Sequence, residues 1–361
     1  GDVYAGEYEG WYDAGQEEYI PENKAKETDY KSPVNGKPLV KKKEKNYFFK
    51  LESYRDAVAE AIRSGRFDVQ PAARKNEILN RLADANDVPI SRTGSGGWGI
   101  PVPGDPEQTI YVWIDALFNY LTYVDTDDRR KYWQAGAVHF IAKDILWFHA
   151  AIWPALLMAL GKCEDYDWVR LPRLVYSHSY WISETGEKMS KSLGNFLDPQ
   201  AIDNYVAEFG LDALRYFLAT RGPLGTTDSA FSPDLFAEVY NADLANTFGN
   251  SCSRVTNMIG KYFDGVLPEA GDHWRQPFNP GDLAEMSCSS DRVAEDVDAD
   301  GMEDALQANA RWAVSTYPED FSIMDLDACG GDPLGLVRAV DALVDQTKPF
   351  TLAKDESKLP D

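Results

Sequence analysis

A chain of 361 residues, 44% of them hydrophobic and 10 of them tryptophan, can bury a large core. It is long enough for two or three domains of ~100–200 residues each. The formal charge of −23 excludes indiscriminate nucleic-acid binding, which needs clustered Lys and Arg along a phosphate backbone. No apolar run approaches the ~18 residues that a membrane span needs, and the first residues show no signal-peptide pattern.

The charge is uneven. Positions 24–50 hold nine lysines, so a local basic face can still meet phosphate, whereas positions 264–361 are strongly acidic. Salt adaptation or solubility would each account for that acidity. The sequence opens on Gly1 and runs directly into "DVYAGEYEGWY", which reads as the interior of a longer protein. Cys163, Cys252, Cys288 and Cys329 are far apart without CxxC spacing, and read as reduced, buried thiols of a cytosolic protein.

Along the chain, residues 1–50 read as short aromatic strands broken by Gly, Pro and Asn. Residues 51–84 read as two amphipathic helices separated by Pro71, and 92–106, "RTGSGGWGIPVPGDP", as a loop. "TIYVWIDALFNYLTYV" then predicts a strand running into a helix, and "AVHFIAKDILWFHAAIWPALLMALG" predicts the same with a polar switch at Lys143 and Asp144. "RLVYSHSYWI" is a third strand. Alternating strands and helices predict a parallel α/β sheet, whose ligands bind beyond the strand C-termini. After Asp198 the pattern is helical, with one long amphipathic helix from Ser232, a plausible N-cap, and more helices near the end.

The third strand runs into "WISETGEKMSKSLGNF". Gly186 and Gly194 give this loop conformational freedom, and Lys188 and Lys191 supply compact cations beside the hydroxyls of Ser190 and Ser192. Such a loop can fold over a triphosphate and stabilise the charge that develops as pyrophosphate leaves. A lone K-x-x-K pair is usually a solvated turn. The complete string after a strand is the KMSKS signature of class I aminoacyl-tRNA synthetases.

With "YFFKL", "SRT…WGIPVP", "YVWIDALFNYL", "FIAKDILWFHAAIWPALLMALG" and "KPFTLAK" in the same order, the chain resembles the methionyl-tRNA synthetases along nearly its whole length. The resemblance implies an α/β fold: the C-terminal part of a Rossmann-like catalytic domain with an inserted connective domain, then an α-helical anticodon-binding bundle. It places the insertion at 1–91, the second catalytic half at 92–198, a stem-contact region at 199–230 and the anticodon domain at 231–361. It implies methionine–tRNA ligation in the cytoplasm, with ATP and Mg²⁺, methionine and methionine tRNA as substrates and partners.

Position by position, Trp113, Ala116, Tyr120, Ile145 and His149 match the family's methionine pocket. Asp144, Lys188, Ser190, Lys191 and Ser192 match its ATP-binding residues, with Lys188 and Lys191 the catalytic pair. Arg92 matches a residue that shapes the site by pairing with an acid absent from this chain. Asn250 and Arg254 match an anticodon-reading N-x-x-x-R, where Asn supplies donor and acceptor together and Arg can read a base edge or phosphate. Phe350 stands where the family stacks a tryptophan on the anticodon, keeping the ring but not the indole N–H.

Two departures follow. Where many members bind zinc through cysteine pairs, this chain has Asp13, Gln16, Ser32 and Asn35, so no structural zinc is expected, and Trp11, Tyr12 and Tyr19 are expected to hold that knuckle by packing. Further, none of His139, His149, His178 and His273 forms the His-x-Gly-His motif that class I enzymes direct at ATP. The chain alone is therefore expected to be inactive, its N-terminal segment truncated or encoded elsewhere. A catalytically inert tRNA-binding fragment, or a class I enzyme for leucine, isoleucine or valine, are the alternatives.

Overall fold

The computed structural model describes residues 1–13, 18–20, 22–32, 36–94, 98–187, 189, 194–267, 269, 306, 310–311, 313–318, 320–321 and 325–354. The chain divides into two compact units, Gly1–His178 and Ser179–Asp361.

The first unit opens with β1 (Val3–Asp13), β2 (Glu18–Ile20), α1 (Glu22–Glu27) and β3 (Val40–Phe49). Long strands replace the short ones expected here. β1 and β3 pair antiparallel from Val3↔Phe49 to Tyr12↔Val40, and β2 pairs with the end of β1. The reason is a sustained alternation in β3: Lys41, Lys43 and Lys45 are exposed, while Glu44, Asn46 and Phe48 are buried. Lys41 pairs with Glu9 at 2.7 Å and Lys43 with Glu7 at 2.5 Å. Hydrogen bonds from these lysines hold both carboxyls below their ordinary range. Exposed pairs add little to stability because solvent screens them, but they neutralise part of the basic run.

The knuckle is held by a small core of Ile20, Ala25 and Leu39, against which Trp11 and Tyr30 pack with ring centroids 4.5 Å apart. The Trp11 indole N–H donates to Glu22 at 2.5 Å, and Tyr12 lies under the Lys42 ammonium, 4.5 Å from its ring centroid. Asp13 and Ser32 are buried. Gln16, Asn35 and the Tyr19 side chain lie outside the described residues.

Next come α2 (Arg55–Arg63), β4 (Asp68–Gln70), α3 (Ala72–Ala83), β5 (Val88–Pro89), β6 (Ser91–Thr93), β7 (Pro101–Val102) and β8 (Asp105–Ile110). The two helices around Pro71 are present, but a strand stands between them. Three residues are too short for periodicity to show. β6, β8 and β7 form an antiparallel sheet, so "TIYV" is not a strand of the parallel sheet, and 92–106 is a hairpin in part rather than a loop throughout. The unit closes with α4 (Val112–Val124), α5 (Arg130–Gln134), β9 (Val138–Ala142), α6 (Trp153–Leu160) and β10 (Leu174–His178).

The parallel sheet has the order β4-β10-β9, with Leu174 opposite both Asp68 and Val138. Its core holds the fully buried Phe49, Ile62, Val69, Leu117, Trp153 and Val175. Burying an aliphatic or aromatic side chain of this size contributes roughly 1.5–3 kcal/mol. This core fixes the C-terminal end of β9.

The second unit pairs β11 (Trp181–Ile182) with β12 (Ser229–Ala230) in parallel. Its helices are α7 (Pro199–Phe209), α8 (Leu211–Arg221), α9 (Pro233–Val239), α10 (Asn250–Tyr262), α11 (Leu326–Thr347) and α12 (Pro349–Leu352). Gly210, at φ 88°, separates α7 from α8. Ser232 caps α9 by accepting from the Leu235 N–H at 3.0 Å, and a π segment, Tyr240–Gly249, joins α9 to α10. From that segment the buried Asp243 accepts from the Tyr216 hydroxyl at 3.1 Å and meets Arg221 and Arg338 at 3.4 and 3.7 Å. Burial, then the Asp243 charge, pushes the Tyr216 phenol up to about 12.

Helix α11 crosses α8 closely at Gly330, where a Cβ would overlap the Thr220 side chain. Gly330→Ala is expected to cost ~1–3 kcal/mol through overpacking, despite alanine's better helix propensity. A urea melt that leaves the variant as stable as the parent would contradict this packing.

Cys163, Cys252 and Cys329 are free thiols, but only Cys329 is buried. The expectation of buried thiols fails at the other two because they lie on exposed segments at a helix end and a helix face. Cys288 lies outside the described residues. Among the described residues no helix is long and apolar enough to cross a membrane.

Candidate active site

Strand β9 ends at Ala142, and the chain turns at once into a 3₁₀ turn, Lys143–Ile145, and then a π segment, Phe148–Ile152. A single-turn π segment within a helix is a frequent mark of a functional site, because it re-aims side chains. Here it sits at the C-terminal edge of a parallel strand, where ligands of such sheets bind. Asp144 is exposed on the turn, and Ile145 is half-buried beside it.

His149 is almost wholly buried. Its Nδ1 lies 3.0 Å from the Ile145 carbonyl and its Nε2 lies 2.8 Å from the Tyr120 hydroxyl. A carbonyl only accepts, so Nδ1 carries the proton and Nε2 accepts from Tyr120. Desolvation holds the His149 imidazole below its ordinary range, partly offset by the Ile145 hydrogen bond, and desolvation raises the Tyr120 phenol. Both groups are therefore uncharged near neutrality. The result is a rigid, polar-paired but neutral wall.

Trp113, in the first turn of α4, stacks on Phe148 with centroids 4.2 Å apart and planes at 11°. It meets His149 edge-on at 6.3 Å. Trp113, Tyr120, Ile145 and His149 are thus brought together, and Ala116, one turn along α4 from Trp113, is exposed. An aromatic, neutral recess suits an unbranched thioether, whose contact with each ring contributes ~0.3–1.5 kcal/mol.

Three neighbours escaped the sequence reading. Phe148 forms the stack under Trp113, His139 lies 4.5 Å from the Tyr120 ring, and Trp153 packs behind at 6.1 Å. The only sequence signal was their place in the apolar strand–helix string. Among the described residues the His139 Nε2 and Trp153 Nε1 atoms have no hydrogen-bond partner.

Burial, then the neighbouring His149, pushes His139 down to about 4. An unfolded histidine protonates near ~6.5, so the stabilisation is complete above that pH. It falls as pH drops toward about 4, and flattens below. The shift corresponds to roughly 3 kcal/mol. Urea midpoints are expected to fall between pH 7 and pH 4.5, and less steeply in His139→Gln. An equal slope in both would contradict it.

The other expected residues lie elsewhere. Arg92 is the central residue of β6, with its guanidinium 4.6 Å from the Tyr111 ring centroid. Lys188, Ser190, Lys191 and Ser192 are outside the described residues. Met189 between them is described, and it packs against the core of the second unit beside Trp181, Leu197 and Tyr205. Gly186 and Gly194 have φ 82° and 67°, conformations that favour glycine. In the second unit Asn250 is exposed, and Phe350 is 42% exposed. Arg254 is held by Asp341 at 3.3 Å and Asp345 at 2.5 Å on α11. Among the described residues no group of His, Cys, Asp and Glu is arranged to hold a metal ion.

The family profile described as "tRNA synthetases class I (M)" matches residues 26–256. A methionine–tRNA ligase of Halalkalibacterium halodurans is 38% identical over 99% of this chain and 51% of its own length. One from Caldanaerobacter subterraneus subsp. tengcongensis is also 38% identical, over 99% of this chain and 50% of its own. The chain thus spans about half the length of the curated relatives it matches. The crystal structure of Mycobacterium tuberculosis methionyl-tRNA synthetase bound by methionyl-adenylate superposes with a TM-score of 0.70 at 30% identity, over 98% of this chain and 64% of that one. The profile, the relatives and the shared fold agree with one another, and the chain belongs to the methionyl-type class I tRNA synthetases.

Proposed function

We propose that this chain supplies the methionine pocket, the lysine loop and the tRNA-reading helices of a cytoplasmic methionine–tRNA ligase. The observation that carries the reading is the neutral recess in which Tyr120 and Ile145 fix His149 beside the Trp113–Phe148 stack. The methionine carboxylate attacks the α-phosphate of Mg²⁺-bound ATP in line, giving methionyl-adenylate and pyrophosphate. The ribose of the tRNA 3′-terminal adenosine, through its 2′-OH, then attacks the carbonyl of the mixed anhydride, forming the methionyl ester as the acyl–phosphate bond breaks and AMP and the hydroxyl proton leave.

Trp113, Ala116, Tyr120, Ile145 and His149 hold the side chain of methionine. Asp144, with the hydroxyls of Ser190 and Ser192, helps to place ATP. Lys188 and Lys191 stabilise the departing pyrophosphate, since phosphoryl chemistry depends on positioning and charge. Arg92 shapes the site. In this reading residues 199–230 meet the tRNA stem and residues 231–361 form the anticodon domain. Asn250 and Arg254 read the anticodon and Phe350 stacks on it, Arg254 exchanging its two carboxylates for a base or phosphate. Asp13 and Ser32, buried in the knuckle, are poor replacements for thiolates, which supports a fold without structural zinc.

Without a His-x-Gly-His motif, the 361-residue chain is expected to bind methionine tRNA but to give no methionine-dependent ATP–pyrophosphate exchange. Exchange by this chain alone would overturn the division of the active site. Absence of any tRNA binding would remove the reading of 231–361, and with it the inert tRNA-binding alternative.

A further inference from the structure

Strand β9 buries His139 and Ile141 and leaves Phe140 exposed between them, stacked on Tyr176 at 4.9 Å. A buried position whose partner on β10 is the fully buried Val175 ordinarily takes an apolar side chain. Here it is an imidazole, 6% exposed and tilted at 55° against Tyr120 with ring centroids 4.5 Å apart. We propose that His139 is a positioning residue for amino-acid selection: it fixes the Tyr120 ring in the pocket wall, and so sets the length of side chain the recess accepts. The inference rests on the functional reading above and adds to it a residue outside the expected pocket.

A tyrosine held only at its hydroxyl can still swing its ring about that point. Tyr120 is bonded at its tip, where the hydroxyl donates to His149 Nε2 at 2.8 Å. Among the described residues the nearest ring to Tyr120 is that of His139, ahead of His149 at 5.7 Å and Trp153 at 6.1 Å. His139 is itself held, because β9 pairs with β10 at this residue and the rings of His149 and Trp133 flank it at 5.6 and 6.0 Å. Two fixed points, one on the π segment and one on β9, therefore define the orientation of the phenol.

Losing the point on β9 would free the ring, since neighbours collapse only in part into the space of a deleted side chain. Burial keeps the imidazole uncharged near neutrality, so it acts by shape, and a side chain of like size without a titrating ring should replace it. Selection by length is a matter of such shape. One methylene more or less in an apolar pocket changes discrimination by about 10- to 200-fold.

The test uses the protein extended ahead of Gly1 by a His-x-Gly-His segment, with ATP–pyrophosphate exchange driven by methionine or by ethionine, its homologue with one more methylene. His139→Ala is expected to raise the Michaelis constant for methionine about tenfold and to change kcat less than about threefold. The preference for methionine over ethionine is expected to fall about tenfold. His139→Gln, which restores the bulk, is expected to stay within about threefold of the parent in all three quantities. Val58→Ala, which opens a cavity in the same core from α2, is expected to lower the urea midpoint without moving the preference. Should His139→Ala not fold, His139→Val takes its place, with the preference expected to fall at least about threefold. A preference unchanged in the folded variant, carried over undiminished to His139→Gln, or moved equally by Val58→Ala would overturn the proposal. Methionine-dependent exchange by the parent would in those cases leave the functional reading standing. No such exchange by the parent would remove both.

Discussion

Lys191→Ala, made in a version of the protein extended ahead of Gly1 by a His-x-Gly-His segment, is expected to slow methionyl-adenylate formation by about 10²–10³-fold, with methionine affinity nearly unchanged. In the proposed function the lysine meets charge that exists only as the α–β phosphate bond breaks, so its loss is expected to raise the barrier without weakening ground-state binding of the amino acid. Met189 packs on the core of the second unit, and Gly186 and Gly194 bracket the loop with positive φ. Presteady-state adenylate formation and equilibrium methionine binding separate the two effects. Equal adenylation rates in variant and parent would remove Lys191 from the chemistry.

His149→Ala carries the second large effect. The imidazole is about 1% exposed and bridges the Tyr120 hydroxyl to the Ile145 carbonyl. Its removal leaves a cavity and strips two buried polar groups of a partner, which together cost roughly 3–5 kcal/mol. In the 361-residue chain this is read as a lowered urea midpoint of the first unit. In the extended version the Michaelis constant for methionine is expected to rise at least about tenfold, because ~1.4 kcal/mol of lost contact suffices for that. His149→Gln, which can keep one of the two hydrogen bonds, is expected to recover part of the stability. A stable His149→Ala variant with unchanged methionine dependence would place methionine elsewhere.

The lysine signature and the strand-to-helix transition at Lys143–Asp144 were legible because both are continuous strings whose chemistry is local. The Ser232 cap was legible for the same reason, since the cap and the N–H that donates to it lie within one turn. What stayed hidden depends on distant partners. β4 is three residues whose strand character comes from pairing with β10, more than 100 positions away. The segment "TIYV" looks like a parallel strand, yet β6 and β7 capture it into an antiparallel sheet. Neither the π segment at Phe148–Ile152 nor the stacking of Phe148 under Trp113 follows from composition, because both depend on how α4 packs there. Likewise, the carboxylates that hold Arg254 lie 87 and 91 positions downstream. The resemblance to the family singled out the arginine together with Asn250, and gave nothing of its partners.

The most direct measurement is amino-acid-dependent ATP–pyrophosphate exchange by the extended version, run in parallel with methionine, leucine, isoleucine and valine. The neutral aromatic cluster of Trp113, Tyr120 and His149 predicts exchange with methionine, and at least about a hundredfold less with the branched side chains, which forfeit the sulfur contacts. Exchange of equal or greater rate with leucine, isoleucine or valine, or none with methionine, would contradict the assignment of this site.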